Sequence, residues 1–198
     1  MKSLQDFCQR LKDGEAVSIT GLGDSLTQGW MVHKGFFQRF VEGLSTRFTE
    51  TTIESHNLGV PGSTAQEAID RLYQVDEQQP DVVIIQFGLN DCSIGIPVDH
   101  YSRHLETIVG ALVSQDILAV LVTSCPVEDA IFGNHVQIYY DAVARLGERL
   151  SVPVVRIDEF WLAHADGFSE EDLYHLDGVH PTDVGHQLMA NGLLDAFS

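Results

Sequence analysis

Two stretches of the chain, VVII at 82–85 and ILAVLV at 117–122, are short, almost wholly apolar and rich in β-branched residues. A strand with one wet face alternates apolar and polar side chains. An unbroken apolar run reads instead as a strand buried on both faces, the habit of parallel sheets. The first run predicts a strand over 81–87 and the second a strand over 117–124, closed by Pro126. Further strand patterns cover 16–22, 51–58 and 152–158. Helical patterns lie between and around them, at 3–12, 36–48, 63–75, 99–113, 136–150 and 182–197. Leu4, Phe7, Cys8 and Leu11, at i, i+3, i+4 and i+7, show the helical spacing. Ser63 is the expected cap of the helix at 63–75, and the stretch from 159 to about Pro181 reads as loop. Strands alternating with helices predict an α/β fold of three layers, α/β/α. Its parallel sheet of about five strands should have the flavodoxin-like, doubly wound order 2-1-3-4-5. Such sheets gather functional residues beyond the carboxyl ends of their strands, so residues that carry chemistry should follow strands.

At 198 residues the chain is expected to form one domain, 1–198, with a core large enough to hold a fixed site without disulfides. Its 29 acidic and 11 basic side chains give a formal net charge of −18. Such a chain repels phosphate backbones and anionic membrane surfaces, so nucleic acid and membrane are not expected partners. Neutral or cationic small molecules are easier to accommodate, and excess acid also serves solubility. Three widely spaced cysteines, Cys8, Cys92 and Cys125, make no disulfide framework. The first residues lack the apolar centre of a signal peptide, and no apolar run approaches the roughly 18 residues of a transmembrane helix. The expected location is the cytoplasm; oligomeric state is not legible.

Four short blocks carry the candidate chemistry. Gly23-Asp24-Ser25-Leu26-Thr27 follows the first strand pattern. A serine there can raise its hydroxyl above the sheet edge, and a helix starting there points N–H groups at the same space, which suits a developing oxyanion. In isolation the block reads equally well as a turn and helix cap. Asn57-Leu58-Gly59-Val60-Pro61-Gly62 follows the second strand pattern. Gly59 has no side chain to block its N–H from a bound carbonyl oxygen, although such a loop alone is more often a plain turn. Gly88-Leu89-Asn90-Asp91 follows the third, and Asn90 offers either a side-chain oxyanion donor or an Asx-turn. Asp177-Gly178-Val179-His180-Pro181 precedes the last helix. Three residues of separation let the carboxylate reach Nδ1 of the imidazole, leaving Nε2 to take a serine proton. Alone, this spacing is commonly a surface pairing. Together, the blocks run in the order Ser, Gly, Asn, Asp/His, and three of them follow consecutive strands.

In these blocks the chain resembles the GDSL family of lipases and acylhydrolases, also called SGNH hydrolases. GLGDSLTQG matches that family's first block, NLGVPGST its second, GLND its third and DGVHP its last, over residues 21–181. The resemblance implies the SGNH-hydrolase fold and no cofactor, and no metal is expected because no Cys/His cluster has ligand spacing. It implies a triad of Ser25, His180 and Asp177, with an oxyanion hole from Gly59, Asn90 and the Ser25 N–H. The implied reaction cleaves small-molecule carboxylic esters with small or medium acyl groups through an acyl-enzyme. The same residues would serve an acyltransferase that passes the acyl group to a sugar or alcohol. A non-catalytic carbohydrate- or lipid-binding module is a third reading, which the intact set of five residues opposes. A nucleotide-binding protein is disfavoured because no G-x-G-x-x-G or P-loop is present.

Other residues carry weaker signals. His100 and His104 have the i, i+4 spacing of a helical metal pair, but without a third ligand they read as a solvated face. His175, near the last block, is a candidate lining residue. Asp24 and Asp91 are expected to brace their loops by local hydrogen bonds. Cys92 reads as a buried free thiol rather than a nucleophile. Trp30, Met31 and Phe132 are candidate acyl-pocket or lid residues, or simple packing.

Overall fold

The computed structural model of the chain describes residues 2–127 and 135–198; the candidate Phe132 lies outside them. Five parallel strands form one sheet: β1 Val17–Gly23, β2 Ile53–Gly59, β3 Val82–Gln86, β4 Leu118–Val122 and β5 Val154–Val155. Their order is β2-β1-β3-β4-β5, as the strand–helix alternation predicts. In register, Gly23 stands between Gly59 and Gln86, and Gln86 stands beside Val122. The carboxyl ends of β1 to β4 therefore emerge at one level, with the switch point between β1 and β3.

Every residue of β3 and β4 is buried, and their side chains alternate between two cores. Val82, Ile84, Leu118 and Val120 face one core, while Val83, Ile85, Ala119 and Leu121 face the other. The first is covered by α1 Leu4–Lys12, α3 Phe36–Arg47, α9 Ile157–His164 and α11 Asp183–Ala196, which contribute Leu11, Phe40, Trp161 and Leu193. The second is covered by α4 Ala65–Asp70, α5 Tyr73–Gln78, α7 Val98–Ser114 and α8 His135–Leu150, through Ala68, Val75, Leu105 and Val143. Burial on both faces is why these strands lack polar alternation. Three short helices complete the described chain: α2 Ser25–Gln28, α6 Leu89–Ser93 and α10 Glu170–Leu173. No helix among the described residues is long and apolar enough to cross a membrane.

Three local expectations are corrected. The helix expected over 63–75 is two helices, and its cap is Thr64, not Ser63. The Thr64 hydroxyl accepts from the Glu67 N–H while the Glu67 carboxylate accepts from the Thr64 N–H. The break falls at Arg71 (φ −116°, ψ 16°), whose guanidinium donates to the Gly23 and Leu58 carbonyls. The strand expected over 152–158 shrinks to two residues. It is an edge strand, Pro153 has no N–H to give, and the chain turns at Arg156 into α9. Helices α9 and α10 thus occupy a stretch expected to be loop. The buried pair Ile157 and Trp161, at i, i+4, carries the helical signal there.

The residue before helix α3 is Gly35, which has no side chain to cap it. The cap comes from α11, where His186 Nδ1 accepts the Phe36 N–H at 3.1 Å. Burial depresses the His186 imidazole to about 4, which keeps that nitrogen free to accept.

Candidate active site

β1 ends at Gly23, and only glycine fits there: a Cβ would lie 2.0 Å from Thr27 Oγ1 and 2.7 Å from the Gln86 carbonyl oxygen. The chain then turns directly into α2. Asp24 caps it, Oδ1 accepting the Leu26 N–H at 2.9 Å while the Asp24 carbonyl accepts the Gln28 N–H. The local brace expected of Asp24 is therefore present, and its second oxygen adds a distant one, accepting from Gln86 Nε2 at 3.2 Å. Complete burial raises the Asp24 carboxyl to about 7, against the pull of the Leu26 and Gln86 donors. Ser25, the first residue of α2, is 7% exposed.

The Ser25 hydroxyl lies 2.9 Å from His180 Nε2. On the other side of the ring, Nδ1 lies 2.8 Å from Asp177 Oδ2. Asp177 Oδ1 accepts the N–H groups of Val179 at 3.0 Å and His180 at 2.9 Å. Partial burial works to raise the Asp177 carboxyl, but these donors and the imidazole outweigh it, and the net shift is downward. Gly178 (φ 64°) makes the bend that lets the side chain reach back three residues. The loop is pinned by the His175 N–H on the His180 carbonyl and the Thr182 N–H on the Leu173 carbonyl. Residues distant in sequence thus form one continuous Ser–His–Asp hydrogen-bond chain above the sheet edge.

Asn90 lies in α6, just beyond β3, where Gly88 takes φ 130°. Its Nδ2 donates one hydrogen to the Ser63 carbonyl at 3.0 Å, which leaves a second for a ligand. Asp91 reaches across to α4, both carboxylate oxygens accepting the Ala65 N–H at 3.2 and 3.3 Å. The local brace expected of it is present in the backbone N–H groups of Asp91 itself and Gly88, and the contact with Ala65 adds a tertiary one. Burial raises its carboxyl to about 6, opposed by these backbone donors.

The expectation for Gly59 is corrected. Its N–H already donates to Asn57 Oδ1 at 2.9 Å. Glycine is needed there because a Cβ would lie 2.3 Å from the Gln28 N and 2.9 Å from the Asp24 carbonyl oxygen. Its role is close packing of β2 against α2. Neighbouring donors are also occupied: Val60 donates to the Gly23 carbonyl, Ser63 to Val60, and Thr64 to Glu67. Pro61 has no N–H. The Gly62 N–H has no partner among the described residues. Gly62 is exposed, takes φ 80°, and immediately precedes the residue that anchors Asn90.

The weaker candidates divide. Trp30 and Met31 are 49% and 53% exposed, just past α2, with the Trp30 N–H on the Ser25 carbonyl. His175 holds the loop through its backbone, and its Nε2 is buried without a partner among the described residues. His100 lies near Asp99, and no group of three or more metal-ligating side chains occurs among the described residues. Cys92 is partly exposed, and burial raises its thiol. Sequence reasoning missed Asn57, Gln86, Arg71 and Ser124, which tie the loops together from below. Only Gln86 left a signal, as a polar residue ending an apolar run.

Comparison with known proteins bears on the family and the fold. Residues 22–188 match the family model described as GDSL-like lipase/acylhydrolase. An arylesterase from Vibrio mimicus is 24% identical over 178 residues, covering 88% of this chain and 85% of that protein. A catalytic mutant of an acetylxylan esterase from Geobacillus stearothermophilus superimposes with TM-score 0.82 at 21% identity, over 92% of this chain and 94% of that one. A two-domain esterase active on acetylated mannans gives TM-score 0.79 at 24% identity. That match covers 98% of this chain, which spans about half, 52%, of the two-domain protein. The family match extends over most of the sequence and takes in every block that builds the site, so the chain belongs to the GDSL-like lipase/acylhydrolase family of ester-cleaving enzymes.

Proposed function

We propose that the protein hydrolyses small-molecule carboxylic esters through an acyl-enzyme on Ser25, with His180 as general base and Asp177 as its partner. The observation that carries this reading is the continuous chain Ser25 Oγ, His180 Nε2, His180 Nδ1, Asp177 Oδ2, with contacts of 2.9 and 2.8 Å. His180 takes the serine proton as Oγ attacks the ester carbonyl, and the carboxylate steadies the imidazolium. The proton then passes to the leaving alcohol, and water, activated by the same imidazole, releases the acid. The developing oxyanion is met by the Ser25 N–H at the start of α2, the free hydrogen of Asn90 Nδ2 and the Gly62 N–H. Gly62 takes the place expected of Gly59 because its N–H is uncommitted.

The loops that carry these groups also bear exposed apolar side chains: Trp30, Met31, Val60, Ile94 and Leu176. Such a rim suits an aryl group or the apolar face of an acetylated sugar, the alcohol parts that the relatives' names describe. Hydrolysis of p-nitrophenyl esters from acetyl to palmitoyl tests the reading. A burst of nitrophenol followed by turnover, fastest with short acyl groups, is expected. No activity on any ester would overturn the proposal, and acyl products formed on added sugars or alcohols would make it an acyltransferase.

A further inference from the structure

We propose that Gln86, the last residue of β3, is a positioning residue that holds the Ser25 turn through Asp24 and Thr27. The inference rests on the reading of Ser25 as nucleophile.

Gln86 is wholly buried at the carboxyl end of a central strand. An amide there is costly unless its hydrogen bonds are made, and all its groups are used. Nε2 donates to Ser124 Oγ at 2.7 Å and to Asp24 Oδ2 at 3.2 Å, while Oε1 accepts from Thr27 Oγ1 at 2.8 Å. The three partners share one orientation of the amide, Nε2 facing Asp24 Oδ2 and Ser124 Oγ and Oε1 facing the Thr27 hydroxyl. One side chain thereby grips the residue before the nucleophile and the residue two beyond it.

The grip matters because α2 is a single turn of four residues. So short a helix has no cooperative stability of its own, and its placement must come from outside. Asp24 orders the turn internally by accepting the Leu26 and Gln28 N–H groups, and the Ser25 hydroxyl meets His180 Nε2. Gln86 orders it externally by fixing Asp24 and Thr27 to the buried sheet. Gly23 permits this, since any Cβ there would strike the Thr27 hydroxyl. Ser124, just past β4, steadies the amide from the opposite side.

Gln86→Met keeps the volume and removes all three hydrogen bonds. Misplacement of a reacting group by about 1 Å costs about 10²-fold. The expected result is a kcat loss of about that size with KM within about twofold, at a temperature where circular dichroism shows the variant folded. Phosphonate labelling of Ser25 should slow in parallel. A lowered Tm with kcat per folded molecule within about twofold of the parent would overturn the proposal. A reciprocal swap keeps it falsifiable if Gln86→Met does not fold. Gln86→Glu alone sets two carboxylates together, and Asp24→Asn alone sets two amides together. The combined swap restores one donor facing one acceptor, with the Thr27 and Ser124 hydroxyls able to donate to the new carboxylate. It should recover kcat by about tenfold or more over Gln86→Glu alone, the signature of direct coupling; no recovery would overturn the proposal. Ser25→Ala distinguishes the two levels. Parental activity in that variant removes the nucleophile reading itself, whereas an inactive Ser25→Ala beside an unaffected Gln86→Met removes only the role of Gln86.

Discussion

The hydroxyl of Ser25 lies 2.9 Å from Nε2 of His180, although 155 residues separate them in the chain. The contact exists because β1 and the loop before α11 deliver their residues to the same sheet edge. Ser25→Ala should lower kcat by on the order of 10⁴-fold or more and leave Tm close to that of the parent. Organophosphonate labelling with peptide mapping checks the assignment, and a stable adduct on another serine would remove it.

Asp177→Asn tests the far end of the chain. The amide can still accept the Val179 and His180 N–H groups through Oδ1, so the loop should keep its shape. The NH₂ would then face His180 Nδ1, favouring the tautomer whose hydrogen sits on Nε2 and cannot take the serine proton. A loss of about 10⁴-fold in kcat is expected at nearly unchanged Tm. A kcat/KM near the parental value would exclude Asp177 from the triad.

Asn90 stands in α6 beyond a rigid, buried strand and is held by the Ser63 carbonyl. A donor fixed in this way needs little reorganisation when the oxyanion forms. Asn90→Ala should lose about 10²–10³ in kcat, roughly 2.7–4 kcal/mol, with KM little changed. A large fall in Tm with kcat intact would make Asn90 a turn residue only. A crystal structure of the phosphonate adduct should place its oxygen within about 2.7–3.1 Å of the Ser25 and Gly62 nitrogens and Asn90 Nδ2. An oxygen directed at the Gly59 nitrogen would reverse the assignment on that loop.

His186 makes acid stability testable. Its imidazole is depressed to about 4 by burial, while an exposed histidine titrates near about 6.5. Between these values the unfolded chain binds a proton that the folded protein refuses, so this contribution is fully present above about 6.5 and is lost as pH falls towards 4. The effect is on the order of 3 kcal/mol. His186→Gln can still accept the Phe36 N–H and does not titrate, so its urea stability should fall less between pH 7 and pH 4.5. Asp24 and Asp91, whose carboxyls are raised, act in the opposite direction but are common to both proteins. Parallel acid limbs in the two proteins would show that His186 is not the sensor.

The amino-acid pattern by itself determined the strands, their parallel order and the loops on which chemistry falls. Unbroken apolar runs such as VVII are compatible with few environments, and Ser25, Asn90, Asp177 and His180 sit in short blocks whose spacing is local. The stretch after β5 was less legible. There the apolar residues from Val154 to Trp161 fit a strand and a helix alike, and only packing of Ile157 and Trp161 into the core selected the helix. Tertiary structure alone decided which groups hold the site. Gln86 and Thr27 are 59 residues apart, and Arg71 and Gly23 are 48 apart, so no local period records their contacts. The same is true of the two glycines beyond β2. A glycine required for close packing and one that offers a free N–H look alike in sequence. Gly59 is the first kind because the Gln28 nitrogen would lie 2.3 Å from its Cβ and its N–H is bound to Asn57. Gly62 differs because a Cβ there would meet nothing within 4 Å, and its N–H has no partner among the described residues while its neighbours' N–H groups are taken.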